Sequence, residues 1–276
     1  VIISNLVGYL PNILKFFYPK LITINSIQGL PKFNFLRKII WRLFYSKSDT
    51  IMTMTNITKK NIINNINYQN NILKVENPII SSKIRKLSDE DIKKEELKLF
   101  NHITFCALGR LTRQKNFIDI IKAVNIIPKE FHLKFNVIII GSGEDKENLT
   151  SYIKKKGIQN IFLLGFKENP YPYIKHSDYF ISSSLWEEPG HAILEAAYLN
   201  KLIISTDCPN GPKEILKNNF NSITYEAENH QKLAKIIEDV LKNKIKNEFK
   251  IKVNMKKIVK EYTMVKFSKK IQNIIN

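Results

Sequence analysis

From residue 103 onward the chain switches repeatedly between short apolar runs and segments with a helical stripe. Residues 103–109 (ITFCALG) read as a strand, and residues 118–127 (IDIIKAVNII) carry apolar side chains at helical spacing. Residues 137–166 then give strand, Gly-Ser-Gly turn, helix and strand in succession, and residues 179–184 (YFISSS) give a further strand. Pro189 and Gly190 break the chain before 192–199, which has good helix formers and one apolar face. Residues 230–245 and the stretch after Thr263 read as helices, the latter with Val265, Phe267, Ile271 and Ile274 broadly on one side. Strands alternating with helices of this length predict β-α units and a parallel sheet.

The first hundred residues are less regular. Residues 1–7 (VIISNLV) look like a strand, and residues 46–62 give a short strand core followed by a Thr-capped amphipathic segment. Residues 31–47 (PKFNFLRKIIWRLFYSK) interleave Phe35, Leu36, Ile39, Ile40, Leu43 and Phe44 with Arg37, Lys38, Arg42 and Lys47. Such a basic amphipathic helix suits an anionic bilayer surface. It equally suits a core-facing helix with solvated cations, the commoner arrangement. Residues 81–97 are polar enough for a linker between domains, with the boundary near Asp91.

Charge and cysteine usage narrow the class. The 276 residues hold 44 Lys and Arg against 25 Asp and Glu, a formal net charge of +19, which attracts polyanions. The excess of Lys, Asn and Ile is spread along the chain, so it speaks of compositional bias more than of one selected patch. No run of about 20 uncharged apolar residues occurs, and no signal peptide is visible. Cys106 and Cys208, with no Cys-x-x-Cys and no His at ligand spacing, support neither zinc nor a disulfide framework. A reducing cytoplasm fits.

The densest chemistry lies between Glu187 and Glu195, two carboxylates with seven residues between them, on either side of the Pro189-Gly190 turn. In an open parallel sheet, ligands sit beyond the carboxyl ends of the strands, where helix N-termini offer free N–H groups. A diphosphate fits there, with the carboxylates accepting from sugar or ribose hydroxyls. Arg110 and Lys115, at a strand end and just ahead of a helix, could hold a pyrophosphate. The Gly-Ser-Gly turn at Gly141 lacks the third glycine of a dinucleotide fingerprint, which argues against NAD. His191, inside the turn, suits contact with phosphate or sugar better than proton shuttling.

Taken in order, ALGRL, IIIGSGE, LLGF, SDYFISSS, WEEPG and CPNGPKEI resemble the C-terminal domain of glycosyltransferase family 4, and the likeness runs from about Ser48 to the end of the chain. The resemblance implies an α/β protein of the GT-B type, two Rossmann-like domains facing a cleft. Residues 1–90 would be the acceptor-side domain, 91–262 the donor-binding domain, and 263–276 a helix returning to the first. With fewer than the roughly 100–150 residues of a full acceptor domain and with Val1 starting in mid-strand, the first domain is expected to be incomplete. By the resemblance, Arg110 and Lys115 bind pyrophosphate, Glu187 faces the donor sugar, Glu195 the ribose, and Pro189, Gly190 and His191 the sugar and phosphate. Gly141 and the segment Phe166, Lys167 and Glu168 lie where the family contacts the nucleotide. Where many members have glycine after the first Glu, this chain has Glu188, expected to point outward.

The implied reaction is metal-independent, needs no cofactor, and retains anomeric configuration. It moves a sugar from a nucleotide-diphosphate donor to a hydroxyl of a glycan or lipid-linked glycan, in bacterial surface glycan synthesis at the inner face of the cytoplasmic membrane. A nucleotide-sugar epimerase or phosphorylase can share the architecture. A basic nucleic-acid binder is disfavoured, since Tyr171 and Tyr173 fall in a Pro-rich loop and not along a basic stripe, and no nucleic-acid partner is expected.

Overall fold

The structure is a computed structural model that describes residues 1–4, 9–66 and 71–275. The chain forms two compact units, Val1–Pro78 with Glu261–Asn276, and Ile79–Lys260. Each contains one all-parallel sheet.

In the first unit β1 (Ile2–Ser4), β2 (Thr23–Ile27), β3 (Thr50–Thr53) and β4 (Asn71–Lys74) pair in that order, all parallel. Residues 5–7 of the expected first strand lie outside the described residues. Strands β2 and β3 are buried along their whole length, as expected when both faces of a parallel sheet are covered. Neighbouring residues point to opposite faces. Ile51 joins Ile27, Tyr45, Ile62, Ile66 and Ile72 on one face, while Met52 joins Ile24 and Val75 on the other. Helix Asn56–Ile66 covers the first face and starts as expected from Thr55, whose Oγ1 accepts from the N–H of Thr58 at 3.1 Å. Helix Met264–Ile275 covers the second through Phe267, Ile271 and Ile274, and Lys270 pairs with Glu76.

Val265 was expected on that packed face and is instead exposed. It precedes Phe267 by two residues, a rotation of about 200° around the helix axis. The basic segment forms helix Phe35–Phe44, started by Asn34, whose side chain accepts from the N–H of Arg37 at 2.8 Å. None of its residues is buried, and Phe35 is 82% and Leu36 65% exposed. It is therefore not the core-facing helix that was the commoner expectation: only Trp41 reaches the core, stacked on Tyr45 at 4.2 Å. The neighbouring helix Tyr9–Phe17 also exposes Leu10, Phe16 and Phe17. Among the described residues no helix is long and apolar enough to cross a membrane.

The second unit holds β5 (Ile103–Leu108), β6 (Phe135–Ile140), β7 (Ile161–Gly165), β8 (Tyr179–Ser182), β9 (Leu202–Thr206) and β10 (Ile223–Tyr225), ordered β10-β9-β8-β5-β6-β7. All the pairs are parallel. β6 is buried at every position, which explains why residues 137–140 run on apolar without alternation; the buried Asn136 donates to the Leu99 carbonyl at 2.8 Å. Helices Phe117–Ile126 and His230–Leu241 pack on one another and on the sheet, with Ile120, Ile121, Val124, Leu233 and Ile237 in the core. The chain progresses outward from β5 through β6 to β7, then returns to the other side of β5 for β8, β9 and β10. The reversal makes the ends of β5 and β8 the place where loops diverge and leave a crevice.

The unit begins at Ile79, not near Asp91, because the polar segment is no loose linker. Its helix Ser82–Ser88 packs against helix Tyr171–His176, Ile84 and Ile92 are buried, and Asn169 donates to the Leu87 carbonyl at 2.8 Å. Polarity on the exposed side concealed these contacts.

The Gly-Ser-Gly turn after β6 has a steric cause. A Cβ on Gly141, where φ is +146°, would lie 1.8 Å from the Gly109 carbonyl oxygen, and one on Gly143 2.3 Å from that of Leu111. Gly157, a left-handed helix end at φ +63°, has open space around it. Gly141→Ala should therefore lower stability by roughly 1–3 kcal/mol or more by overpacking, and Gly157→Ala by only about 1 kcal/mol of backbone strain. Urea unfolding of the two variants tests this, and equal midpoints would contradict it.

Candidate functional site

The site is built at the reversal. β5 ends at Leu108 and the chain passes through Gly109 and Arg110 into the turn that starts helix Phe117–Ile126. The stem of Lys115 folds back over Gly109, where a Cβ would lie 2.8 Å from Lys115 Cε. Glycine is needed there for close approach. β8 ends at Ser182, two residues short of the expected strand, and Ser183 and Ser184 stay buried because their hydroxyls are used. Ser183 Oγ donates to the Lys115 carbonyl at 2.8 Å, and Ser184 Oγ to Glu187 Oε1 at 2.7 Å. Gln114 ties the two loops, donating to the Trp186 carbonyl at 2.9 Å and accepting from the N–H of Leu185 at 2.8 Å.

The product of this stitching is an ion pair between Lys115 and Glu187, residues 72 apart in sequence. Their side chains keep only 19% and 9% exposure. Two charges so far from water need a close partner and further hydrogen bonds, which Ser184 supplies. Arg110 is exposed at the mouth of the same strand and makes no ion pair among the described residues. One cation of the expected couple is thus neutralised in place, and the other is unspent.

Glu187 lies on the loop, bridged to Asn210, and the N–H of Gly211 donates to its carbonyl at 3.1 Å. A Cβ on Gly211 would lie 2.2 Å from the Pro189 carbonyl oxygen, so the Cys208–Gly211 turn is pressed against the backbone of Pro189, whose bond to Glu188 is cis. Gly190 has φ +97° and begins helix His191–Tyr198, whose first N–H groups lack intrahelical acceptors. Glu188 does not project outward as expected. It is half-buried, with Oε2 screened from solvent, because the turn folds under Gly211. His191 stands exposed at the helix start. Its pKa is lowered, first by desolvation within the packed turn and also by Lys115, against the pull of Glu187.

Glu195 sits one turn into the helix, half-buried. Burial raises its pKa, offset in part by a hydrogen bond from Tyr171 Oη at 3.2 Å and by Lys115. Lys115 is thus felt by Glu187, Glu195 and His191, and with Tyr171 residues from three separated segments converge. Tyr171 escaped the sequence reading, which placed it in a loop. It is the first residue of helix Tyr171–His176, and the signal for it was the Asn169-Pro170-Tyr171-Pro172 turn that follows β7.

The segment after β7 departs from expectation in part. Phe166 and Glu168 are exposed, but Lys167 binds Glu96 at 2.7 Å and lies over the Tyr173 ring. The Lys167 side chain is thus committed to the Lys94–Leu97 helix, while those of Phe166 and Glu168 face outward. Cys106 and Cys208 are free, buried thiols, with burial pushing them up to about 12 and about 11. Grooves elsewhere on this unit, around Asn218 and Lys232 or His132 and Asn160, contain none of the converging residues.

An α/β fold with two parallel sheets, and an anion-suited site at a strand-order reversal, define a GT-B-like protein. Residues 88–261 match the family Glycosyl transferases group 1, and the chain belongs to it. It is 36% identical over 181 residues to an uncharacterized glycosyltransferase of Methanocaldococcus jannaschii, a match covering 64% of this chain and 44% of that one. It is 23% identical over 237 residues to the N-acetylgalactosamine-N,N'-diacetylbacillosaminyl-diphospho-undecaprenol 4-alpha-N-acetylgalactosaminyltransferase of Campylobacter jejuni, covering 85% of this chain and 62% of that one. Among solved structures, Anabaena HepE in complex with UDP superposes with a TM-score of 0.78 at 17% identity, covering 96% of this chain and 74% of that one. The chain thus spans less than two thirds of the length of either of these two sequence relatives.

Removing one member of the buried pair leaves the other uncompensated. Lys115→Met should lower unfolding stability by about 3 kcal/mol, and Lys115→Met/Glu187→Met should regain most of it. A double variant no more stable than the single one in chemical denaturation would show that the two charges are not coupled.

Proposed function

We propose that the chain carries the donor half of a retaining glycosyltransferase that moves a hexose-type sugar from a nucleotide-diphosphate donor to a hydroxyl of a surface glycan or its lipid-linked precursor. The observation that carries this reading is the convergence of Lys115, Glu187, His191 and Glu195 at the reversal between β5 and β8. Support comes from the family, from a similar fold solved with UDP, and from a relative whose name specifies a diphospho-undecaprenol acceptor.

In this reading Arg110, Lys115 and the free N–H groups at His191 take the diphosphate, and no metal is used. Glu187, with Oε1 already held by Lys115 and Ser184, is a fixed acceptor for a donor-sugar hydroxyl, not a nucleophile. Glu195 accepts from the ribose, and the backbone at Gly141 and at residues 166–168 borders the base. Pro189 and Gly190 let the loop approach the sugar. Charge develops on the diphosphate as the glycosidic bond breaks. The acceptor oxygen enters on the same face, and its proton passes to the leaving oxygen.

Lys115→Ala should then lower turnover on the order of a hundredfold, the scale of a lost oxyanion-type donor, whereas Glu195→Ala should weaken donor binding by roughly 1.5–3 kcal/mol. Assays with nucleotide sugars, with and without lipid-linked acceptor, check both. Unchanged rates and affinities reject the roles, and acceptor-independent conversion of the sugar indicates an epimerase instead.

The exposed apolar and basic surface on helices Tyr9–Phe17 and Phe35–Phe44 supports peripheral contact with an anionic bilayer on the cytoplasmic side. Phe35, Leu36 and Leu43 would enter the interface while Arg37, Lys38 and Arg42 meet headgroups. The chain should sediment with phosphatidylglycerol vesicles much more than with phosphatidylcholine vesicles, and Phe35→Ser/Leu43→Ser should release it. Equal binding to both vesicles, or binding unaffected by the substitutions, contradicts the contact.

A further inference from the structure

Glu195 has two carboxylate oxygens, and among the described residues only Oε1 is engaged, by Tyr171 Oη at 3.2 Å. Tyr171 is itself placed from behind. Its N–H donates to Asn169 Oδ1 at 3.2 Å, and the Nδ2 of the same amide donates to the Leu87 carbonyl at 2.8 Å and to Glu90 Oε2 at 2.7 Å. Leu87 belongs to helix Ser82–Ser88, the segment by which the chain enters this unit. One amide therefore uses both of its ends to join residues 169–171 to residues 87–90, and a hydroxyl carries that constraint to the carboxylate.

We propose that Tyr171 is a positioning residue for Glu195, holding Oε1 so that Oε2 faces a ribose hydroxyl of the donor, and that Asn169 fixes Tyr171 by tying it to residues 87–90. The proposal rests on the ribose role given to Glu195 above. An ionised carboxylate only accepts, so a neighbour that only needs to donate suits it. Burial and Glu195 together push the Tyr171 hydroxyl up to about 12, and it remains a donor throughout the working pH range. The same hydrogen bond favours the ionised form of Glu195, as does Lys115, the other group facing it, against the burial that raises its pKa. Two consequences follow from losing the hydroxyl: the carboxylate is free to rotate, and its pKa rises further.

The test is calorimetric titration of the full chain with UDP and with 2′,3′-dideoxy-UDP, which lacks the hydroxyls in question. Wild type should prefer UDP. Tyr171→Phe keeps the ring and its packing, and should bind UDP roughly tenfold more weakly, the scale of a lost hydrogen bond to a charged group, while its affinity for dideoxy-UDP is unchanged. The pH below which UDP affinity falls should also move upward in Tyr171→Phe, a shift that a packing defect would not produce. Asn169→Ala should reproduce the loss of preference in smaller measure. If wild type binds the two nucleotides equally, the ribose role of Glu195 fails and the proposal with it. If wild type prefers UDP and Tyr171→Phe prefers it just as strongly, Glu195 keeps its role and the proposal for Tyr171 is overturned. Undiminished preference in Asn169→Ala overturns the tether.

Discussion

The second unit depends on one buried pair of opposite charges. Lys115 and Glu187 come from loops after different strands, and neither charge is tolerable at that depth alone. The surrounding features make the encounter possible. Gly109 lets the lysine stem lie against the strand end, Ser184 satisfies the glutamate, and Gln114 stitches the loops together. Below them, the reversal of strand order separates the loops enough to leave a site open to a ligand.

That arrangement has an electrostatic consequence. With Lys115 neutralised by Glu187, the exposed Arg110 and the start of helix His191–Tyr198 are left as the sources of positive potential at this end of the sheet. Desolvation keeps His191 below the usual histidine range and pulls Glu195 above the usual carboxylate range. Both shifts have burial as their first cause, and Lys115 acts on both groups, lowering each.

The first unit follows a simpler logic. A strand buried on both faces must be covered twice, and the sequence supplies one cover from Asn56–Ile66 and the other from the end of the chain. What is left over is the helix Phe35–Phe44, whose aromatic and aliphatic side chains remain largely in solvent among cations. Its amphipathic repeat is visible in the sequence. The repeat alone does not say whether the apolar side turns toward a core or away from it, since both arrangements use the same spacing.

The β-α alternation, the parallel sheets and the order of Arg110, Lys115, Glu187 and Glu195 were legible in the sequence, because continuous apolar runs, breaker pairs and helix stripes are local signals. Three things were not. The segment 81–97 reads as a linker by polarity, yet burial of Ile84 and the contacts of Asn169 make it part of the unit, and polarity reports only the outward side. Glu188 looks like a residue to be expelled from an anionic site, yet the turn beneath Gly211 takes it in. Tyr171 looks like a loop aromatic, yet it touches Glu195, 24 residues away. Local spacing determined which groups were available and roughly where each lay along its strand or helix. Which of them touch was decided by packing between distant segments, since a side chain's partner depends on how loops close over the sheet, and no periodicity within one segment encodes that.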